Sequence, residues 1–220
     1  MKAKRIFSCF FSLLILSLMG QQKQDSVETR WKYTPNFLVG IDILGAGTSF
    51  FSDRKVFQGS VTSRVVENWY AVLDAGFEKN RYDLNGYDAD ASGPFGKIGV
   101  LYMLAHDAEN PLNGFYGGGK LAASFYQQEY RQVPIRGYGE TEFFQSFPES
   151  RQSSYWLEAA VGGRVQLFES PFYIDVSVQP RYLLFSTTQE EIKPMIVPGF
   201  GKSASKFAVG FTWSLAYSFK

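Results

Sequence analysis

The stretch Lys206–Phe219, KFAVGFTWSLAYSF, decides the fold predicted for this chain of 220 residues. From Phe207 onwards every second residue is large and apolar, and the residues between are all small. A period of two is that of a β-strand, because successive side chains of a strand point to opposite faces. The stretch is longer than a usual strand of about 5 to 6 residues and matches the roughly 9 to 11 with which a tilted strand crosses a bilayer.

The two faces of this strand predict which side points into the molecule. The interior of a small closed barrel is crowded, so the small residues are expected to face inward. Phe211 and Trp213 must then face outward, where lipid is the solvent that accepts them. The stretch therefore predicts a membrane-spanning β-barrel.

Seven further segments alternate in the same way, which brings the number of predicted strands to eight. Long connections near residues 49–56, 83–94, 129–152 and 187–205 alternate with short turns such as Glu67–Asn68. Short turns on one side, long loops on the other and an even strand number are typical of bacterial outer-membrane barrels. The predicted fold class is all-β, an eight-stranded antiparallel up-and-down transmembrane β-barrel over residues 36–220. Its strands are expected at 37–47, 57–66, 69–78, 95–104, 114–128, 153–167, 172–185 and 206–219.

The N-terminus predicts export. Lys2, Lys4 and Arg5 precede an apolar run, Ile6–Met19, that is too short for a spanning helix and fits a secretory signal. Residues 1–20 are expected to be removed, and residues 21–35 to form a periplasmic N-terminal segment. The predicted location is the outer membrane, with outer-membrane lipid and the barrel-assembly machinery as partners.

Charge and cysteine content exclude several classes of function. The full chain has a net charge of +1, three of its cations lie in residues 1–20 without any acid, and the remainder therefore carries −2. No basic surface for nucleic acid is indicated. Cys9 lies in the signal segment, so the exported chain is expected to hold no disulfide and no reactive thiolate.

Three motifs resemble catalytic or ligand-binding sites and fail a closer comparison. Gly114–Lys120, GFYGGGK, has the glycines of a phosphate-binding loop, but Leu121 replaces the required Ser or Thr and a strand follows instead of a helix. Asp88–Gly93 begins like a calcium loop, but Gly99 stands where a bidentate Glu is needed. His106, the sole histidine, falls in a short turn away from the long loops. No catalytic residue, cofactor or metal is predicted, and the protein is expected not to be an enzyme.

Charged residues recur on the inward parity of the strands in equal numbers of acids and bases. Charges in a narrow, protein-walled lumen are costly unless they are paired. We therefore expect a network that fills the lumen, formed by Asp42, Asp74, Glu78, Glu158 and Asp175 with Arg64, Lys97, Lys120, Arg164 and Arg181.

The longest predicted loop, 129–152, mixes aromatic residues with arginine. This composition is typical of recognition surfaces. Two interpretations fit equally: a surface for an extracellular ligand or protein that the sequence does not identify, or an extension that caps the barrel. The candidate surface residues are Tyr130, Arg136, Tyr138, Phe143 and Phe144.

From Asn36 to its end the chain resembles the uncharacterised outer-membrane β-barrel family of Bacteroidota that is described as a domain of unknown function. The resemblance is carried by FLVGID at 37–42, GKIGV at 96–100, YWLE at 155–158, IVPGF at 196–200 and the closing strand. It implies a small barrel and no known activity. In architecture the chain is also similar to small barrels of the outer membrane protein A type.

Two functional hypotheses follow from the alternation. The first is a non-enzymatic outer-membrane barrel with a side-chain-filled lumen that serves as a structural anchor or displays its outer loops for binding. The alternative is a secreted or periplasmic soluble lipocalin-like barrel, with its apolar faces turned inward around an apolar ligand. Steric fit favours the first, because the large side chains of all eight strands would overfill the interior. A narrow pore or an outer-membrane enzyme fits the pattern less well.

Overall fold

The computed structural model describes residues 36–136, 142–189 and 192–219. The predicted signal segment 1–20 and the segment 21–35 lie outside the described residues. The elements are β1 Phe37–Asp42, α1 Ile43–Thr48, β2 Lys55–Val66, β3 Trp69–Leu84, β4 Tyr87–His106, β5 Gly114–Arg136, β6 Glu142–Gln166, β7 Phe172–Ser186, β8 Ile196–Val197, β9 Gly201–Lys202 and β10 Phe207–Phe219.

Eight antiparallel strands close into a barrel in the order β1-β10-β7-β6-β5-β4-β3-β2. The predicted fold class is confirmed. Along β10 the large apolar residues point outward and the small residues point inward, as Trp213 and Thr212 illustrate with 46% and 7% exposure. Among the described residues, no helix is long and apolar enough to cross a membrane.

One end of the barrel carries both termini of the barrel domain together with short turns, and we call it the turn end. Phe37 and Phe219 are register partners there, and the predicted Glu67–Asn68 hairpin turn lies beside them. The opposite end, with α1 and the longer excursions, is the loop end.

The predicted first strand, 37–47, is wrong in its second half. β1 ends at Asp42, and α1 follows at once over Ile43–Thr48. Asp42 caps this short helix by accepting a hydrogen bond from the Leu44 backbone N–H at 3.2 Å. A carboxylate at the N-cap position satisfies one of the backbone donors that a helix start leaves without a partner.

Two of the predicted long loops are mostly strand. Residues 83–94 contain a tight turn at Asn85–Gly86, both with positive φ, as the primed hairpin turns require. In residues 129–152, β5 continues to Arg136 and β6 begins at Glu142. The apolar alternation stops before the hydrogen-bonded ladder does, so the pattern in the sequence ended too early.

The predicted long loop at residues 187–205 is wrong for Ile196–Phe200, whereas Lys202, Ala204 and Ser205 are exposed as a loop on the outside would be. Ile196–Phe200, which we call the plug, folds back into the loop end of the barrel and is buried there. Val197 has no exposed surface, and Phe200 is 1% exposed.

The outside of the barrel carries an apolar belt between two rings of aromatic residues. Near the turn end, the ring pairs Trp69–Tyr102 and Phe172–Tyr217 have centroids 5.0 and 5.2 Å apart. Near the loop end, Tyr155 lies between Phe125 and Phe185 at 6.1 and 6.3 Å. At about 3.3 Å per residue and a tilt of about 40°, the belt is roughly 20 to 25 Å tall, the height of a bilayer's apolar band.

Candidate functional site

The middle of the lumen is filled by five charged side chains, which we call the central cluster: Asp74, Lys97, Lys120, Glu158 and Arg181. Glu158 accepts hydrogen bonds from Lys97 at 2.9 and 3.2 Å and from Arg181 at 2.9 Å. Lys120 lies 2.6 Å from the Asp74 carboxylate and 4.0 Å from Glu158. The side chains of Lys97 and Glu158 have no exposed surface. Glu158 therefore joins three cations in one connected network.

The strand register explains how the central cluster forms. Asp74 and Lys97 are partners across β3 and β4, and Lys120 and Glu158 are partners across β5 and β6. Arg181 is the partner of Glu158 across β7. Their side chains share the inward face at one level, so the closed sheet brings together residues that lie far apart in the sequence.

A second charged group lies closer to the turn end. Arg164 Nε donates to Asp175 Oδ2 at 2.8 Å, and Tyr116 donates its hydroxyl hydrogen to the other carboxylate oxygen at 2.5 Å. The Arg164 guanidinium also stands 5.6 Å from the centre of the Tyr116 ring. Asp175 is thus satisfied from two sides, as a carboxylate in a lumen must be.

A third charged group fastens the plug at the loop end. Arg54 binds both carboxylate oxygens of Glu78, at 2.7 and 3.1 Å. The second oxygen of Glu78 also accepts the backbone N–H of Gly199 at 2.9 Å. Burial lowers the pKa of the Arg54 guanidinium, but the hydrogen bond and the charge of Glu78 outweigh this effect and leave it raised. The Arg54 guanidinium therefore stays cationic and holds the Glu78 carboxylate in place for its hydrogen bond to the plug.

The plug completes an apolar layer above the central cluster. Phe200 meets the Trp156 ring at a centroid distance of 5.9 Å, and the Phe200 carbonyl accepts a hydrogen bond from Arg181 at 3.1 Å. The buried members of the layer are Val56, Ala91, Phe95, Ala122, Tyr126, Trp156, Leu183, Ile196, Val197 and Phe200. A turn that lies inside the barrel thus fills part of the loop end.

Trp156 gives a direct test of this layer. It has no exposed surface, and its indole N–H has no hydrogen-bond partner among the described residues. We expect Trp156→Ala to lower the free energy of unfolding by about 3 to 5 kcal/mol, because it opens a large cavity. Trp156→Phe should cost far less, since it keeps most of the ring and removes a buried donor without a partner. Urea unfolding in detergent measures both, and equal losses would contradict this account.

The turn end is closed by a second apolar cluster. The β4–β5 turn folds inward, so that Leu112 is 6% exposed and packs in a cluster with Tyr70 and Tyr173. The Tyr70 hydroxyl donates to the Pro111 carbonyl at 3.1 Å, and the Asn110 amide donates to Gln166 at 2.7 Å. These bonds fix the turn across the opening.

Cavities at the two ends are separated by this packing. The cavity at the turn end has about 740 Å³ and is lined by residues that include Arg64, Asp107 and Gln166. The cavity at the loop end has about 410 Å³ and lies against α1 and the plug. Between them, the mid-lumen holds a cavity of about 40 Å³ beside Lys120 and Arg164. That space suits a water molecule or two and no larger solute.

The ten lumen residues predicted from the sequence do not form one network. Eight of them belong to the three charged groups described above. Asp42 instead caps α1 and also accepts the Trp213 backbone N–H at 3.3 Å. Arg64 lies at the turn end, where its guanidinium donates to the Glu67 carbonyl at 2.8 and 2.5 Å.

The candidate recognition residues that the structure describes do not all lie on one surface. Phe143 and Phe144 are 60% and 51% exposed on the part of β6 farthest from the belt. Tyr130 is not on that surface: it is 1% exposed, packs edge-on against Phe147 and donates to the Lys193 carbonyl at 2.9 Å. Burial raises the pKa of Tyr130 to about 12, so it remains a donor. Arg136 is the last residue of β5, and Tyr138 lies outside the described residues.

Sequence reasoning missed Arg54, Tyr116 and the plug. Arg54 stands in a predicted loop, where strand parity does not apply, and Tyr116 carries no charge, so the charge pattern of the strands did not indicate it. The run Ile196–Phe200 was a signal that could have indicated the plug, because a mostly apolar stretch inside a polar outer loop is expected to be covered.

A closed antiparallel barrel with an apolar belt, two aromatic girdles and a polar interior has the architecture of a transmembrane β-barrel. The chain belongs to the family described as a domain of unknown function, DUF6048, whose model matches residues 2–219. The family resemblance predicted from the sequence is confirmed. A comparison with curated proteins finds no match.

Solved structures that are similar to this chain include the following two. The attachment invasion locus protein Ail of Yersinia pestis, solved with the heparin analogue sucrose octasulfate, has 13% identity and a TM-score of 0.43. A major outer membrane protein from Thermus thermophilus has 12% identity and a TM-score of 0.48. Each match covers 85% of this chain and 100% of the other.

Proposed function

We propose that this protein is a non-enzymatic outer-membrane barrel with a closed lumen, which anchors in the membrane and displays its loop end for binding. The observation that carries the proposal is the closure of the lumen at three levels: the plug, the central cluster and the inward-folded β4–β5 turn. A lumen filled in this way leaves the outer surface and the loop end as the parts that can meet a partner. The turn end would face the periplasm, where short turns of bacterial barrels lie.

The exterior supports membrane insertion. Large apolar side chains remain exposed on every barrel strand, among them Phe57, Leu73, Ile98, Leu121 and Val161. Monomeric soluble proteins rarely expose one apolar patch larger than a few hundred Å². A belt that runs around the whole barrel therefore favours lipid as its surroundings.

The lipocalin-like carrier would need the opposite arrangement. A carrier encloses its apolar ligand in a cavity of several hundred Å³ lined by apolar side chains. The mid-lumen cavity here has about 40 Å³ and is lined largely by charged and hydroxyl groups. This geometry argues against the carrier.

The loop end supports the display role. β5 continues for about 11 residues beyond Phe125, or roughly 36 Å along the strand, and the outward residues that follow Phe125, from Gln127 to Arg131, are polar. The tip bears apolar side chains in the open, with Leu84 56%, Ile135 42% and Phe143 60% exposed. Exposed apolar groups on a stem above the membrane are a surface that a protein partner can cover.

Reconstitution of the purified full-length protein tests the anchor and the closed lumen separately. The protein is expected to float with phosphatidylcholine vesicles in a density gradient and to resist carbonate extraction. In planar bilayers it should give no reproducible conductance steps. Failure to float would refute the membrane barrel, whereas floating protein with steady porin-sized steps would refute the closed lumen alone.

A further inference from the structure

Just above the loop-end girdle, one outward row of side chains carries positive charge without any acid. In register the row runs Lys55, Lys79, Ser92, Gln127 and Arg151 across β2 to β6. Lys55 and Lys79 are direct cross-strand partners. Like charges placed directly opposite each other destabilise a sheet. The row therefore holds an arrangement that folding alone does not favour.

The next outward row toward the tip shows the contrast. Arg81 binds Asp88 at 3.0 Å, and Arg131 binds both Asp90 and Glu129, the latter at 3.6 Å. Neither Lys79 nor Arg151 forms an ion pair with another described residue. Lys55 donates to the Ser49 and Ser52 carbonyls at 2.5 and 3.1 Å. At the level of the girdle the strands thus leave Lys79 and Arg151 without a carboxylate from the described residues.

A groove of about 470 Å³ lies on the outer wall at this level. Its floor and lower edge are formed by Phe77, Pro94 and Phe125, and its upper edge by Ser92, Gln127 and Arg151. Pro94 has no backbone N–H, and the β4–β5 ladder lacks pairs at positions 93 and 94, although the register is the same at Ser92 and at Phe95. The groove is apolar toward the belt and polar toward the loop end, where Arg151 is the one cation of its lining.

From this geometry we infer a binding site for the anionic headgroup of an outer-leaflet lipid, an inference that rests on the proposed membrane function. Lys79 and Arg151 stand three strand spacings apart in this row, or about 14 Å, with Ser92 and Gln127 of the groove between them. Their long side chains reach a phosphate between them from both sides, while Ser92 and Gln127 offer polar groups in the middle. Phe77 and Phe125 contact the upper part of the acyl chains. A lipid has both an anionic headgroup that the cations attract and acyl chains that the aromatic rings contact. Free phosphate has no apolar part, so it would leave Phe77 and Phe125 without a partner.

Binding of defined lipids to the purified full-length protein in a non-ionic detergent tests this site. Native mass spectrometry would measure apparent Kd values for phosphatidylglycerol and phosphatidylcholine with identical acyl chains. The wild type is expected to bind phosphatidylglycerol at least tenfold more tightly. The double variant Lys79→Gln/Arg151→Gln should abolish this preference, and Phe125→Ser should weaken both lipids. Lys206→Gln, which removes an exposed charge elsewhere at the loop end, is the matched control and should change Kd less than twofold.

Each result decides the matter. Equal affinities of the wild type for the two lipids would overturn the site. A loss of phosphatidylglycerol affinity in Lys206→Gln equal to that of the double variant would also overturn it, because it would show only nonspecific electrostatic attraction. Displacement of phosphatidylglycerol by excess inorganic phosphate would overturn the lipid as ligand. Heat-modified migration on gels verifies that each variant is folded. Flotation with phosphatidylcholine vesicles is scored independently, so a protein that floats without a headgroup preference refutes this site and leaves the membrane barrel standing.

Discussion

Glu158→Leu is expected to lower the free energy of unfolding by about 3 to 5 kcal/mol, because it leaves the buried cations Lys97 and Arg181 without their shared carboxylate. Removal of one partner from a buried ion pair is costly since the other charge cannot return to water. Equilibrium unfolding in urea and detergent, followed by tryptophan fluorescence, measures the loss. The same variant should also convert from the compact to the unfolded gel form at a lower temperature.

Glu129→Leu is the matched control for Glu158→Leu. Glu129 forms an exposed pair with Arg131 at 3.6 Å, and exposed pairs contribute about 0 to 1 kcal/mol. The double variant Glu158→Leu/Lys97→Leu should recover part of the stability, because it replaces one buried pair by apolar groups. A loss at Glu158 no greater than at Glu129 would mean that water reaches the central cluster.

Val197→Asp is expected to release the plug and expose the segment around it to protease. Val197 has no exposed surface, and a carboxylate placed among Trp156 and Phe200 is destabilised by several kcal/mol. Cleavage that requires local opening follows the population of the open form, so a change of about 3 kcal/mol raises the rate by about 100-fold. Trypsin cleavage after Lys202, within the small β8–β9 sheet, reports this opening when peptides are identified by mass spectrometry.

Ala204→Asp places the same charge at an exposed position of the same segment and should leave cleavage at Lys202 unchanged. Because the central cluster and the β4–β5 turn still block the lumen, the Val197→Asp variant is expected to remain silent in planar bilayers. Cleavage at the wild-type rate would show that the segment does not need Val197 in order to dock.

The strand number, parity and closure of the barrel could be predicted from the sequence. The crowded lumen selects small side chains and the outer surface selects large apolar ones, so residues along a strand alternate in size. Trp213 and Thr212 illustrate this alternation within a single dipeptide. The alternation in size does not extend beyond the apolar belt. Past Phe125 the outward residues Gln127 and Glu129 are polar, like the residues of a loop. The ladder continues there on backbone hydrogen bonds, which leave no compositional signal, so both long hairpins were underestimated.

The pairing inside the lumen was harder to predict than its composition. Inward parity identifies Glu158 and Arg181 as lumen residues, but the level at which each lies depends on the strand register. Register also separates Arg164 and Asp175 from the central cluster and leaves Asp42 to cap α1. The plug could not be placed by parity at all, since its position depends on a fold of the chain back through the barrel mouth, with Glu78 and Gly199 brought together over 121 positions of sequence.

The unequal lengths of the strands have a consequence for how the barrel is made. β1 contributes six residues to its joint with β10, whereas β6 has 25 residues. The two strands of that joint come from opposite ends of the domain, so pairing them closes the longest loop in the chain. The entropy cost of this closure is smallest once the rest of the sheet has formed, and we therefore expect the β1–β10 hydrogen bonds to form after the others. The hairpins from β3 to β7 can zip locally beforehand. The β1–β10 joint is accordingly the last to form, the first to part under denaturant, and the natural point at which an unfinished sheet could be held open during insertion.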